Sequence, residues 1–178
     1  MQPDRARLVE WMNRASAGDR SAFDSLARAT QDELYRFALA QGLRSHDAAE
    51  AVQEALTRAY RHRRRWRADG DAMAWLVGIV ANVVRETRRS RHRHFAGLDP
   101  AVLAAAAADA GNDDQMDRLA AALTALPERQ REAVVCRYLR RMSVRQTATA
   151  MECAEGTVKA AAFAGLRSLR AALRGDRP

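Results

Sequence analysis

The chain has 178 residues, of which 48% are hydrophobic, 29% charged and 6% aromatic, and its formal net charge is +8. This length allows one or two small domains, and the mostly aliphatic hydrophobic residues suit helical cores. No apolar run approaches ~18 residues and no signal peptide is visible, so we expect a cytoplasmic protein without membrane insertion. The positive charge indicates a polyanionic partner.

Four amphipathic helices are predicted in the first half of the chain. The first covers residues 4–17, and the second, capped by Asp19 or Ser21, runs to Gln41. The third starts at about Asp47 and turns small apolar side chains inward, whereas its outer face is polar and carries Glu50, Gln53, Glu54 and Arg58. This outer face is either a solubilising surface or a docking site for a basic partner.

Arginine is concentrated around the fourth helix. Between Arg58 and Arg93, eleven arginines less three acidic residues leave a surplus of eight, which equals the net charge of the whole chain. Such a concentrated field favours phosphate binding over a merely solvated surface. The helix itself starts near Met73, and Trp66 and Trp75 flank the turn before it. These tryptophans are candidates for base stacking, although burial in the core is the commoner role.

Residues 95–115 differ in composition from the flanking segments. They contain Gly97, Pro100, Gly111, an alanine run and several aspartates, and no large apolar residue after Leu103 until the next helix. This composition predicts a flexible, mildly acidic linker between two helical domains, at residues 4–94 and 116–174.

The second domain ends in a predicted helix-turn-helix. Two amphipathic helices, divided at Pro127, precede it. Ser143 and Gln146 have the spacing of a capping box for a short helix. After a break at residues 152–154, a long basic helix starts at about Glu155, with apolar residues three or four positions apart. Two helices across a tight turn, the second long and basic, are typical of a motif that reads the major groove.

The sequence carries no catalytic or metal-binding motif. It has no glycine-rich phosphate loop, nucleophile elbow or HExxH motif. Cys136 and Cys153 lack close partners, which favours two small semi-buried side chains over a disulfide or a zinc site. His92 and His94 lie among arginines that would repel a cation. We therefore predict a binding protein, not an enzyme, without cofactor, metal or small-molecule substrate.

Taken in order, these motifs resemble bacterial RNA polymerase sigma factors of the extracytoplasmic-function (ECF) group. The resemblance covers roughly residues 18–93 and 117–173, and it is carried by DAAEAVQEA at 47–55, AYR at 59–61, AWLVGIVAN at 74–82, LPERQRE at 126–132, RYL at 137–139 and EGTVK at 155–159. It implies an all-α fold of two small domains joined by a flexible linker: a sigma domain 2-like bundle and a sigma domain 4-like helix-turn-helix. It also implies promoter recognition, DNA melting and transcription initiation with core RNA polymerase.

The resemblance assigns residues to three surfaces. Core polymerase, with its beta and beta-prime subunits as expected partners, would be bound by Asp47, Glu50, Gln53, Glu54 and Arg58. The minus-ten promoter DNA, opened with one base held in a pocket, would be bound by Arg64, Arg65, Trp66, Asp69, Trp75, Asn82, Arg85, Arg88 and Arg89. The minus-thirty-five element would be bound by Arg145, Gln146, Thr157, Lys159 and Arg167. An anti-sigma factor is a further expected partner.

The chain departs from the family pattern in the helix-turn-helix. Glu152 stands where glycine is common in the turn, and Ala154 stands where serine usually caps the second helix. In that helix Ala160, Ala161 and Ala164 replace side chains that could donate hydrogen bonds to bases, although alanine still contacts a thymine methyl. We therefore expect unusual or weak recognition of the minus-thirty-five element.

Two other classes of protein compete with this interpretation. A stand-alone helix-turn-helix transcriptional regulator would explain the C-terminal motif, but it has no need of the polar face on the third helix or of a second DNA-binding module. An RNA-binding or enzymatic helical protein has only the arginine surplus in its favour.

Overall fold

A computed structural model of the chain describes residues 4–68, 70–94 and 114–174. These residues form eight α-helices: α1 Arg5–Ser16, α2 Arg20–Ala40, α3 Ser45–His62, α4 Ala72–His94, α5 Asp114–Ala125, α6 Glu128–Val134, α7 Val144–Met151 and α8 Glu155–Arg174. A 3-10 turn, Arg63–Arg65, extends α3, and a π-helical turn, Val135–Leu139, extends α6. The described residues contain no strand, and the all-α prediction is confirmed. Within these ranges no helix has the length and hydropathy needed to cross a bilayer.

Helices α1 to α4 form the first bundle around an aliphatic core. The Asp19 side chain caps α2 by accepting the backbone N–H of Ala22 at 3.1 Å. Hydrogen bonds from Ser21, Arg14 and the Ala22 N–H lower the pKa of Asp19 to about 2. Of the two caps considered from sequence, Asp19 is therefore the one in place, with the Ser21 hydroxyl donating to it. The buried side chains of these four helices include Leu8, Met12, Leu26, Leu34, Phe37, Leu76, Val77 and Val80.

Helices α5 to α8 form the second bundle, which contains one buried arginine that the apolar pattern does not predict. Arg131 on α6 is fully buried, and its Nη1 donates to the carbonyl oxygens of Thr124 at 2.9 Å and Leu126 at 3.4 Å. These carbonyls lie at the end of α5, where no helical N–H remains to bind them. Arg131 therefore links the end of α5 to α6, while its Nε and Nη2 are buried without a hydrogen-bond partner.

Gly165 allows α8 to lie directly on α6. A β-carbon at this buried position would lie 2.8 Å from Cγ2 of Val134 and 3.1 Å from the carbonyl oxygen of Gln130. We predict that Gly165→Ala lowers the free energy of unfolding by about 1–3 kcal/mol, because the added methyl overpacks a backbone contact that cannot yield easily. Urea denaturation checks this value. The matched control is Gly156→Ala near the start of α8, where a β-carbon meets nothing within 4 Å.

The helix-turn-helix has the capping box that its sequence predicts. Ser143 Oγ accepts the Gln146 N–H at 3.1 Å, and Gln146 Oε1 accepts the Ser143 N–H at 2.6 Å. The turn after α7 places Glu152 in the left-handed region, with φ 50°. Glycine adopts this conformation without steric cost, whereas the β-carbon of Glu152 makes it less favourable.

Removing the capping box tests its contribution. We predict that Ser143→Ala lowers the free energy of unfolding by about 1 kcal/mol, because the Gln146 N–H in the first turn of α7 loses its acceptor. Chemical denaturation followed by circular dichroism gives the value. Ser168→Ala, at an exposed position within α8, is the matched control and should leave stability nearly unchanged.

The two bundles pack against each other. Helix α7 lies on α4 at Gly78, where an added β-carbon would be 3.2 Å from Cα of Ala150. One cluster of buried apolar side chains continues from α4 into the second bundle, through Val135, Cys136 and Met142. The sequence did not predict this contact. Independent folding of the two domains stays a prediction, and the predicted linker lies outside the described residues except for residues 114 and 115, which are the start of α5.

Candidate polymerase and promoter interfaces

The polar outer face of α3 is accessible to a partner. Glu50 and Gln53 are exposed, Glu54 retains 46% side-chain exposure, and Asp47 is partly buried. His46 lies next to this face, with Nδ1 3.7 Å from the Glu50 carboxylate. The predicted docking residues therefore share one side of a single helix and present carboxylates to solvent.

Arg58 holds α3 and α4 together beneath this face. Its Nε is 2.7 Å from Glu54 Oε1, and its Nη2 is 2.8 Å from Glu86 Oε2 on α4. The hydrogen bonds to Glu86 and Glu54 raise the pKa of Arg58, so the guanidinium is charged at every physiological pH. Its place between two carboxylates makes Arg58 a positioning residue rather than an available contact for a partner.

The segment before α4 combines exposed arginines with a fixed tryptophan. Arg64 and Arg65 are exposed in the 3-10 turn. Trp66 is partly buried, and its Nε1 donates to Asn13 Oδ1 on α1 at 2.6 Å. Its ring packs edge-on against Trp75 with a centroid distance of 5.9 Å. The predicted site residue Asp69 lies outside the described residues.

Both tryptophans are partly buried, and their role in base stacking stays a prediction. They pack against the hydrophobic core and retain part of their surface. The Trp66 ring also supports the following turn, since a β-carbon on Gly70 would lie 2.9 Å from it. A base that stacked here would meet a prearranged ring, which lowers the entropy cost of binding.

Three predicted minus-ten residues of α4 point toward other parts of the protein. Asn82 Nδ2 donates to Glu152 Oε1 at 2.9 Å, and Arg85 Nη1 donates to Glu132 Oε1 at 2.6 Å. Arg88 Nη1 donates to the carbonyl oxygen of Gln41 at 3.2 Å. Arg89 is exposed, as the prediction requires of a residue that binds DNA.

Glu132 is almost completely buried by this arrangement. Its side chain is 3% exposed, and Arg85, its partner, is 14% exposed. Burial raises the pKa of Glu132, and the positive charge of Arg85 opposes that shift. The pair occupies the boundary between the two bundles, next to a small space lined by Gln41, Ala81, Val84, Arg85, Arg88, Glu128 and Glu132.

The outer surface of the helix-turn-helix carries the predicted minus-thirty-five residues. Arg145, Thr157, Lys159 and Arg167 are exposed. Gln146 is partly buried, because its Nε2 donates to Asp71 Oδ2 in the first bundle at 2.5 Å. The predicted residues therefore lie on α7 and α8, but Gln146 faces α4 rather than solvent.

Sequence reasoning missed Phe163, which is 71% exposed on α8. It lies four residues after Lys159 and four before Arg167, so the three side chains form one stripe along the helix. The helical periodicity could have revealed this residue. The buried face of α8 contains Val158 and Ala162, and Phe163 lies outside that face. Single exposed apolar side chains are common on protein surfaces, so it is the position of Phe163 between two cations, not its exposure, that makes it a candidate contact.

This fold defines an all-helical DNA-binding protein with a helix-turn-helix and a second, arginine-rich bundle. Two family models match the chain: Sigma-70 region 2 at residues 26–94, and Sigma-70, region 4 at residues 116–169. Both matches fall within the predicted domains.

Curated relatives identify the family. The chain is 36% identical over 145 residues to the ECF RNA polymerase sigma factor SigM of Mycobacterium tuberculosis, covering 80% of this chain and 72% of SigM. It is 34% identical over 170 residues to SigL of the same organism, covering 89% of this chain and 94% of SigL. The chain belongs to the ECF family of RNA polymerase sigma factors. It is a transcription initiation factor, as its motifs predicted, and the stand-alone regulator is not favoured.

Solved structures share the fold. The sigma factor RpoE, in its complex with the anti-sigma factor NepR from Bartonella quintana, has a TM-score of 0.70 and 24% identity, covering 87% of this chain and 98% of RpoE. CnrH, in complex with the cytosolic domain of CnrY, has a TM-score of 0.73 and 22% identity, covering 98% of this chain and 100% of CnrH.

Proposed function

We propose that the chain directs core RNA polymerase to promoters through three separate surfaces, one for the polymerase and one for each promoter element. The observation that carries this proposal is the presence, on one chain, of an exposed carboxylate face on α3, exposed arginines before α4 and a basic stripe on α8. Each surface has the chemistry that its role requires.

The α3 face suits a basic protein surface. Asp47, Glu50, Gln53 and Glu54 lie on one side of a helix whose opposite side is locked in the core through Val52 and Ala55. A rigid helix loses little entropy on docking, and exposed carboxylates attract a cationic partner over a Debye length. We assign this face to the core polymerase, whose beta and beta-prime subunits are the proposed partners.

The segment around Arg64, Arg65 and α4 suits an opened DNA strand. Exposed guanidinium groups neutralise the backbone phosphates, and the partly exposed rings of Trp66 and Trp75 offer stacking surface for an unpaired base. Extruding a base from the duplex costs a few kcal/mol, and stacking and phosphate contacts of this kind can offset that cost. We assign the minus-ten element to this surface, together with Asn82, Arg85, Arg88 and Arg89.

Helix α8 suits a duplex major groove. Lys159 and Arg167 can bind phosphates or guanine, and Phe163 between them can contact a thymine methyl. The neighbouring alanines offer no donors, so apolar contact and charge carry recognition here. We therefore propose that Phe163 reads the minus-thirty-five element in place of the missing polar side chains.

On this proposal the polymerase does the chemistry. The sigma chain contributes no catalysis and needs no metal or cofactor. Its work on polymerase and DNA places it in the cytoplasm, and an anti-sigma factor that covers the α3 face would silence it.

The test is reconstitution with purified core polymerase. We expect the chain to co-purify with core and to yield promoter-directed run-off transcripts only when core is present. The DNA templates carry the upstream motif shared by the transcripts that are induced when this chain is overexpressed. Tight sequence-specific binding to duplex DNA by the chain alone, with no transcript from the reconstituted enzyme, would instead indicate a stand-alone regulator.

A further inference from the structure

Helix α1 lies before the residues that Sigma-70 region 2 matches, yet it contacts the proposed minus-ten surface directly. The match begins at residue 26, and α1 ends at Ser16. The helix packs against α2, α4 and the 3-10 turn that extends α3. One side of α1 is held in the core through the buried side chains of Leu8, Met12 and Ala15. A polar side chain on α1 therefore has a fixed position relative to α4.

Two polar side chains of α1 contact the segment that leads into α4. Asn13 Oδ1 accepts the Nε1–H of Trp66 at 2.6 Å. Arg5 Nη1 lies 3.9 Å from Oδ2 of Asp71, whose Oδ1 accepts the N–H of Ala74 in the first turn of α4 at 2.8 Å. The Arg5 side chain is 62% exposed, so this long ion pair contributes little. Asn13 is thus the main polar link from α1 to this segment.

The hydrogen bond from Trp66 to Asn13 selects one orientation of the indole ring. The χ2 torsion of tryptophan has two broad minima, and only one of them places Nε1 against Asn13. Other contacts limit the ring on other sides: Trp75 packs against it at an interplanar angle of 66°, and a β-carbon on Gly70 would lie 2.9 Å from its Cη2. The ring is therefore held by polarity as well as by packing.

The orientation of this ring matters because we expect an unpaired base to stack on it. A base stacks on a ring face, and a ring that turns between two orientations offers that face only part of the time. A ring that is already fixed in the free protein lowers the entropy cost of binding. Asn13 is partly buried and bonds the edge of the ring, so it does not compete with a base for the face of Trp66.

We propose that α1 is a functional part of the minus-ten site, and that Asn13 is a positioning residue that fixes the Trp66 ring for an extruded base. The proposal rests on the proposed function, since it takes the minus-ten element as the ligand of Trp66. Asn13 acts through this ring and makes no contact of its own with DNA. Its removal weakens recognition of the stacked base and leaves the phosphate contacts of Arg64 and Arg65 unchanged.

Three substitutions isolate the hydrogen bond. Asn13→Leu removes the acceptor at similar volume, whereas Asn13→Asp keeps an acceptor oxygen and should rescue function. Trp66→Phe removes the donor and keeps an aromatic ring. Because Asn13 acts through Trp66 Nε1, Asn13→Leu should have no further effect in the Trp66→Phe background, which is a coupled pair in a double-mutant cycle.

Ser16→Ala is the matched control. It removes a hydrogen bond of 2.7 Å within α1, from Ser16 Oγ to the carbonyl oxygen of Asn13, that does not reach Trp66. This carbonyl oxygen keeps a second donor, the N–H of Ala17 at 3.1 Å. The control therefore perturbs α1 locally and leaves the link to the ring in place.

The measurement is binding of the holoenzyme, the chain with core polymerase, to fork-junction DNA. The forks carry the minus-ten motif of the run-off templates with its non-template strand unpaired, and a second set replaces each base of that strand in turn by an abasic site. On the intact fork, Asn13→Leu should bind about fivefold more weakly than the unchanged chain, as expected for one lost hydrogen bond. Asn13→Asp and Ser16→Ala should bind like the unchanged chain. On the fork that lacks the stacked base, Asn13→Leu should also bind like the unchanged chain.

Three results would overturn the proposal. They are unchanged binding of the intact fork by Asn13→Leu, equal weakening on the intact fork and on every abasic fork, and a full effect of Asn13→Leu in the Trp66→Phe background. Run-off transcription by the unchanged chain tests the proposed function separately. A holoenzyme that transcribes but is indifferent to Asn13→Leu rejects only the role of α1, whereas a holoenzyme that yields no transcript rejects the proposed function and this role with it.

Discussion

Replacing both Glu50 and Glu54 by arginine is expected to abolish promoter-directed transcription without unfolding the chain, because Arg58 loses Glu54 but keeps its second carboxylate, Glu86. The two side chains are exposed or half-exposed on α3, and their reversal puts like charges against the basic partner that we propose. A combined cost of about 3 kcal/mol corresponds to about hundredfold weaker binding to core polymerase. Co-purification with core and run-off transcription give the two measurements.

A matched double reversal on another helix separates docking from net charge. Asp24 and Asp32 are exposed on α2, in the same bundle, and Asp24→Arg with Asp32→Arg changes the total charge by the same amount. This control should retain transcription. Equal loss in both double variants, or normal activity of the α3 variant, would contradict the assignment of α3 to the polymerase.

Replacing both Arg64 and Arg65 by alanine should impair opening of the promoter. Both guanidinium groups are exposed in the 3-10 turn before α4. Each lost phosphate contact should cost about 1 kcal/mol. Losing both should weaken the affinity for opened DNA about thirtyfold. Their dependence on salt should also fall by about one ion per arginine. Permanganate footprinting of unpaired thymines across a salt series measures both effects, and binding to core polymerase should not change.

Arg28 and Arg36 supply the corresponding control. Both are exposed on α2, and their removal lowers the net charge equally. If the Arg28→Ala, Arg36→Ala variant lost opening and salt dependence to the same extent, the effect of Arg64 and Arg65 would reflect general charge rather than a specific contact.

Local structure followed from the sequence because its causes are local. Ser143 and Gln146 are three residues apart, and their capping box is present as predicted. The start of α2 and the apolar stripe of α8 likewise depend on side chains within two helical turns of each other. Hydrogen bonding and helical periodicity act over this range, so a single sequence contains the information.

Contacts between distant segments could not be predicted in this way. Arg85 and Glu132 are 47 residues apart, and neither sequence neighbourhood indicates the other as a partner. The burial of Arg131 depends on the carbonyls that α5 leaves unpaired, which requires the angle between two helices. The composition of residues 95–115 predicted a flexible linker, but it contains nothing that fixes how the bundles it joins lie together.

Arg58 has a consequence for communication within the first bundle. One guanidinium neutralises Glu54 on the side assigned to the polymerase and Glu86 on the helix assigned to the promoter. When a partner binds Glu54, Arg58 is left paired with Glu86 only. The Arg58 charge then neutralises more of the Glu86 carboxylate, which would otherwise repel an approaching phosphate. We therefore expect a partner bound at Glu54 to change the electrostatic potential around Glu86 through Arg58.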